Sequence, residues 1–129
     1  MKYLPKILIV DDESDYLSLS AAFLRKTGFD VYSLIDADEV FDIIQSYKPD
    51  IVVIDIRLGT HDGRTICRQI KTGNGLKSPK IILQSFSPEF GSEYRDHGAD
   101  DFLLKPFALD QLIERINYHL QEDRDNTAA

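Results

Sequence analysis

Lys6-Ile7-Leu8-Ile9-Val10-Asp11-Asp12 is a short apolar run that ends abruptly in two carboxylates, and Ile51-Val52-Val53-Ile54-Asp55 repeats the arrangement with one. An apolar stretch of this length, bounded by polar residues and rich in β-branched side chains, reads as a strand buried on both faces of a parallel sheet. Ligands of such sheets gather beyond the carboxyl ends of the strands. Two neighbouring strands would therefore deliver Asp11, Asp12 and Asp55 to one small volume. Like charges that close repel unless a cation sits among them. Donors made only of oxygen suit a hard ion such as Mg²⁺, bound by one or two carboxylates with several waters retained.

Working outward, strand-like and helix-like segments alternate five times. Leu17, Ala21 and Leu24 give a helical spacing between Asp15 and Lys26, with Gly28 placed as a C-cap. Asp30–Leu34 reads as a second strand. Ala37, Val40, Phe41 and Ile44 follow the one-sided helical pattern up to Pro49. A loop over 56–61 leads to a helix opened by Asp62, with Ile66 and Ile70 inward, and Thr72-Gly73-Asn74-Gly75 breaks it. Lys80–Leu83 is a fourth strand, ending in Gln84-Ser85. The polar stretch from Pro88 to Asp96, interrupted by Gly91, predicts one short, mobile helix. Phe102-Leu103-Leu104 is a fifth strand. Leu109, Leu112, Ile113, Ile116 and Leu120 then make an amphipathic last helix, with a frayed tail expected from Gln121 to Ala129. Alternation at this spacing implies right-handed βαβ units and a doubly wound α/β sheet with helices on both faces.

The 129 residues suit one domain, taken as 1–121 with 122–129 as a disordered tail. With 43% hydrophobic residues the chain can bury a core, yet no apolar run approaches the roughly 20 residues that span a bilayer. The N-terminus lacks a signal peptide's features, and Cys67 stands alone, so no internal disulfide can form and a cytoplasmic location is expected. A net charge of −7 argues against direct nucleic-acid binding. His61, His97 and His119 have no metal-ligand spacing and are expected at the surface or in loops. Cys67 is expected to pack within its helix.

Two further residues follow the remaining strands: Ser85 after the fourth and Lys105 after the fifth, in Leu104-Lys105-Pro106-Phe107. A hydroxyl, a lysine and three carboxylates at one sheet edge make a coherent phosphoryl site. The cation and Lys105 would neutralise the equatorial oxygens, and the hydroxyl would donate a hydrogen bond. Asp55 is the candidate nucleophile, since a carboxylate can form an aspartyl phosphate.

With these residues in order, the chain resembles the receiver domain of bacterial two-component response regulators. The resemblance rests on Val10-Asp11-Asp12-Glu13, the stretch from Asp55 through Asp62-Gly63, Ser85, Gly98-Ala99-Asp100 and Lys105-Pro106-Phe107, covering about Pro5 to Leu120. It implies a flavodoxin-like five-stranded parallel sheet of order 2-1-3-4-5. It also implies a phosphoacceptor signalling domain rather than an enzyme that turns over a metabolite. Asp55 would take phosphate from a histidine kinase or histidine phosphotransfer protein. Mg²⁺ would be held by Asp12 and Asp55, by Asp11 through water and by the backbone carbonyl of Arg57. Ser85 and Phe102 would be the switch pair, Lys105 the partner of the phosphoryl group, and Lys105–Pro106 a cis peptide. The fourth helix, fifth strand and last helix would present the surface that an unknown downstream protein reads, on a monomer or a weak dimer.

Several positions depart from the family pattern. Leu58-Gly59 stands where Met-Pro is usual, so a more mobile loop is expected beside Asp55. Phe86 stands where a small residue is preferred, which predicts narrowed access to Asp55 and slower loss of phosphate. Gln84 stands where an apolar residue is common and offers an alternative switch position. Arg57 and Ser87 lie where phosphate lifetime is tuned. An adaptor of the same fold would have no need of Asp12, Asp55, Ser85 and Lys105. A Mg²⁺-dependent hydrolase would need a second acid/base near Asp55, but Asp55-Ile56-Arg57 has no carboxylate two residues on, and the chain is too short for a cap domain. With no DNA-binding or catalytic segment in the sequence, the expected output is a partner's, or the chain is a fragment.

Overall fold

The computed structural model describes residues 3–73 and 78–127. In chain order the elements are β1 (Lys6–Val10), α1 (Ser14–Thr27), β2 (Asp30–Leu34), a 3-10 turn (Ala37–Glu39) running into α2 (Val40–Tyr47), and β3 (Ile51–Asp55). A two-residue hairpin follows, β4 (Arg57–Leu58) and β5 (His61–Asp62), then α3 (Gly63–Lys71), β6 (Lys80–Ser85), a 3-10 segment (Pro88–His97), β7 (Asp101–Leu104) and α4 (Leu109–Thr127). Five parallel strands form one sheet in the order β2-β1-β3-β6-β7, which is the expected 2-1-3-4-5 once the hairpin is set aside.

The two central apolar strands are apolar throughout because each face meets a different helical layer. Leu8, Val10, Val52, Ile54, Ile81 and Leu83 pack with Val40, Ile66, Cys67 and Ile70 from α2 and α3. Ile7, Ile9, Ile51, Val53 and Ile82 pack with Leu17, Ala21 and Leu24 of α1 and Leu112 and Ile116 of α4. Ile7 to Val10 and Ile51 to Ile54 are at most 1% exposed. Burial of such a side chain stabilises by about 1.5–3 kcal/mol, so the sheet centre outweighs the cost of placing carboxylates at its rim. Cys67 is fully buried, as expected, and burial pushes its thiol up to about 11.

Three expectations are corrected, and one is refined. The loop over 56–61 contains the paired hairpin, with Arg57 opposite Asp62 and Leu58 opposite His61. Leu58 is buried in the core and Gly59 takes the left-handed conformation (φ 61°), so this segment is anchored rather than loose. The stretch from Pro88 forms the expected short helix, of 3-10 type and with no buried residue of its own. Pro88 opens it, and at Gly91 a Cβ would lie 3.1 Å from the Phe102 ring, so Gly91 lets the aromatic approach. The expected fraying from Gln121 does not begin there: α4 continues to Thr127, with Glu122 bonded to the Lys80 ammonium at 2.7 Å. Asn74, Gly75, Ala128 and Ala129 lie outside the described residues.

The third correction is His119, which is 3% exposed and not a surface residue. It lies three residues after Ile116 on the buried stripe of α4, and its Nε2 is 2.9 Å from Asp101 Oδ2. Arg115 also donates to that carboxylate oxygen, and the Phe102 N–H donates to Oδ1. Burial pushes the Asp101 carboxyl up, but these partners outweigh it and hold it below its ordinary value. His61 is exposed and paired with Asp38 at 2.8 Å, and Arg68 meets His97 Nδ1 at 2.8 Å.

Candidate functional site

The carboxyl ends of β1, β3, β6 and β7 open into a cleft of ≈ 440 Å³ lined by Asp12, Tyr16, Asp55, Ser85, Phe86 and Lys105, with Glu13, Arg57, Gly59 and Ser87 at its edges. The parallel register brings Val10 beside Ile54 and Asp55 beside Gln84. Residues distant in sequence therefore converge at one edge because the strands end level.

Lys105 is the centre of the site. Its ammonium donates to Asp11 Oδ2 at 2.9 Å and to Asp55 Oδ2 at 2.8 Å, with only 5% of the residue exposed. The Lys105–Pro106 bond is cis, and the Lys105 N–H donates to the Ser85 carbonyl at 2.8 Å, tying it to the end of β6. Burial pulls the ammonium's pKa down, but Asp11 and Asp55 outweigh it and leave it raised. Burial pushes the Asp55 carboxyl above its ordinary value; Lys105 offsets this in part, while the charge of Asp11 adds to it.

Asp11 is fully buried, its oxygens accepting from the Glu13 N–H (2.9 Å), the Gln84 amide (3.2 Å) and Lys105. Asp12 is exposed at the rim, where its Oδ2 accepts the Gly59 N–H at 3.0 Å and ties the hairpin to β1. Asp55 Oδ1 accepts the Arg57 N–H at 3.1 Å. Ser85 lines the cleft, 6% exposed, and its hydroxyl accepts the Ser87 N–H at 3.0 Å. Gln84 lies on the sheet's other face, bonded to Asp11 and outside the cleft lining, so Ser85 is the hydroxyl at the site. Phe102 is half-buried and packs against the core beside Phe90 and Tyr94. Phe86 is 68% exposed at the cleft mouth.

The donors near Asp55 are all oxygen, which fits a hard divalent cation in kind. Among the described residues no three His, Cys, Asp or Glu side chains close on one point, and the Lys105 ammonium lies between Asp11 and Asp55. Asp12 and Asp55 both line the open cleft, so these are the carboxylates that would hold such a cation.

A receiver-domain family model, described as the response regulator receiver domain, matches residues 7–117. The chain belongs to that family. Similar solved structures include the BeF3-activated N-terminal receiver domain of Klebsiella pneumoniae RstA, with 32% identity, TM-score 0.80, 89% of this chain covered and 97% of that one. The receiver domain of the Francisella response regulator 1452 matches at 28% identity and TM-score 0.84, over 92% of this chain and 98% of that one. A CheY-like receiver domain protein from Methanospirillum hungatei matches at 27% identity and TM-score 0.85, over 96% of this chain and 99% of that one. As a receiver domain, the chain is a two-component signalling module rather than a typical enzyme. Among the described residues no helix is long and apolar enough to cross a membrane.

The site contains one residue that sequence reasoning did not single out. Tyr16, on the first turns of α1, lines the cleft with its ring centroid 4.3 Å from the Lys105 ammonium. Gly63, quoted above only as part of the family stretch, opens α3 against the site: a Cβ there would collide with the Asp55 carbonyl oxygen, so only glycine allows the helix to start so close to the acceptor strand. Tyr16 belongs to no apolar periodicity, and only three-dimensional proximity reveals it; for Gly63 the structure supplies the reason for the motif.

Proposed function

We propose that Asp55 accepts a phosphoryl group in a Mg²⁺-dependent reaction and that the modified site switches a partner-binding surface. The observation that carries this reading is Lys105, a buried cation shared by Asp11 and Asp55 at the floor of an open cleft. A structural ion pair would not need a cleft above it.

Mg²⁺ held by Asp12, Asp55, the Arg57 carbonyl and, through water, Asp11 would supply positive charge opposite the equatorial phosphoryl oxygens. Asp55 is the nucleophile: one carboxylate oxygen forms the new bond to phosphorus while the bond to the donor breaks. With a phosphohistidine donor of a kinase or phosphotransfer protein, that bond is P–N, and the imidazole leaves with its electron pair. Lys105 then exchanges its contact with the Asp55 carboxylate for a phosphoryl oxygen, and the Ser85 hydroxyl donates to another. Movement of Ser85 opens the space into which Phe102 turns, biasing a two-state packing of the 3-10 segment, β7 and α4. Leu104 and Tyr118, exposed by 45% and 53% on β7 and α4, supply apolar surface for a downstream protein.

Intact-mass measurement after incubation with acetyl phosphate tests the chemistry. One added phosphoryl group with Mg²⁺ and none with EDTA is expected. Absence of any gain with Mg²⁺, under conditions that label a working receiver, would favour a phosphate-independent adaptor.

A further inference from the structure

We propose that Tyr16 is a positioning residue that holds the Lys105 ammonium against its ring face for phosphoryl transfer, an inference that rests on the reading of Asp55 as acceptor. A lysine ammonium has three N–H donors. Asp11 and Asp55 take two, at 2.9 and 2.8 Å, and the Tyr16 ring centroid lies 4.3 Å from the same nitrogen. The Phe86 ring lies further off, at 5.4 Å and mostly in solvent. Tyr16 is therefore the closer aromatic face on a cation that is almost wholly withdrawn from water. Cation–π attraction strengthens when the partners are desolvated.

The ring is itself braced. Phe107, two residues beyond Lys105, meets it edge-on at 6.3 Å with planes at 89°. The α1 helix carrying Tyr16 starts at Ser14, two residues after Asp12, so the ring is held close in the backbone to Asp11, one of the two carboxylates that bind the lysine. The Tyr16 hydroxyl is buried and has no hydrogen-bond partner within the described residues. A buried hydroxyl without a partner costs free energy, so the ring carries the contribution of this side chain.

Loss of the ring would let water reach the ammonium and loosen it from the position that meets the phosphoryl oxygens. Loss of the hydroxyl alone would leave the ring face in place. The test compares the wild type with Tyr16→Phe and Tyr16→Leu, with two readouts. In acetyl phosphate kinetics at fixed Mg²⁺, Tyr16→Leu should lower the saturating rate constant by about tenfold, with little change in the donor concentration for half-saturation. Tyr16→Phe should restore the rate to within about twofold. In ¹⁵N- and ¹³C-lysine NMR, the Lys105 side-chain resonances should show a ring-current displacement in the wild type and Tyr16→Phe and lose it in Tyr16→Leu.

The NMR readout stands even if no phosphoryl group is ever transferred, so failure of the acceptor reading is separable from failure of this one. A Tyr16→Leu protein that phosphorylates at the wild-type rate would overturn the proposal. So would a Tyr16→Phe protein as slow as Tyr16→Leu, or Lys105 resonances that do not respond to loss of the ring.

Discussion

Replacing Lys105 with methionine keeps an unbranched stem of similar length and removes the ammonium, with its charge and its N–H donors. Asp11, with no exposed surface, and Asp55, 8% exposed, would then face each other without the ammonium that both now contact. Two carboxylates about 5 Å apart repel by about 3 kcal/mol at an effective dielectric of about 20. Removing one partner of a buried ion pair typically costs about 3–5 kcal/mol, so the two routes agree. The expected loss for Lys105→Met at pH 7 in EDTA is therefore about 3–5 kcal/mol, which for a domain of this length lowers Tm by roughly 10–20 °C.

The pH dependence of that loss has a defined sign. The Asp55 carboxyl is already raised by burial, so the folded protein binds its proton more tightly than the unfolded chain does. Acidification from neutrality toward the unfolded value of about 4 relieves a cost in the folded state. Without Lys105 the cost is larger and so is the relief. The gap between variant and wild type should shrink as pH falls through the raised folded-state value toward the unfolded value of about 4. Added Mg²⁺ should narrow it at pH 7. Urea unfolding followed by far-UV circular dichroism at several pH values measures both. A loss under about 1 kcal/mol at pH 7, or one that stays constant as pH falls, would refute the reasoning.

Asp101→Asn should destabilise by about 2–4 kcal/mol at pH 7, because it weakens the charge-assisted bonds from Arg115 and His119. The Asp101 carboxyl is held below its ordinary value, so its contribution is present above about pH 4 and lost as pH falls through the folded value. A gap between variant and wild type that widens in acid would contradict this. Gly63→Ala should cost about 1–3 kcal/mol, since its Cβ meets the Asp55 carbonyl, and should slow labelling by acetyl phosphate as Asp55 is displaced; wild-type melting and labelling would remove the argument. Phe86→Ala should shorten the lifetime of the phosphorylated form by opening the cleft mouth, and an unchanged decay rate would show that the ring does not gate water.

The sheet was readable because burial on both faces leaves its mark directly: Ile7–Val10 and Ile51–Ile54 have no polar face to show. The gathering of Asp11, Asp55, Ser85 and Lys105 followed from strand ends alone, since level parallel strands leave little freedom in where their last residues go. What escaped the sequence was set by contacts between elements. Leu58 and Gly59 look like loop residues until pairing and burial fix them. His119 reads as polar because its partner, Asp101, is supplied by a different element. Gln84 reads as an anomaly in an apolar strand until Asp11 is seen to accept its amide. Tyr16 shows no periodic signal because it faces a charge rather than the core.

The most direct test of the central claim is residue-level mapping of the phosphoryl group. The wild-type chain, treated with acetyl phosphate and Mg²⁺, is reduced with borohydride, which converts an aspartyl phosphate to homoserine, and its peptides are sequenced by mass spectrometry. Homoserine at position 55, with no conversion at Asp11 or Asp12 and none in Asp55→Asn, is the predicted result. Conversion elsewhere, or labelling that survives Asp55→Asn, would contradict the account.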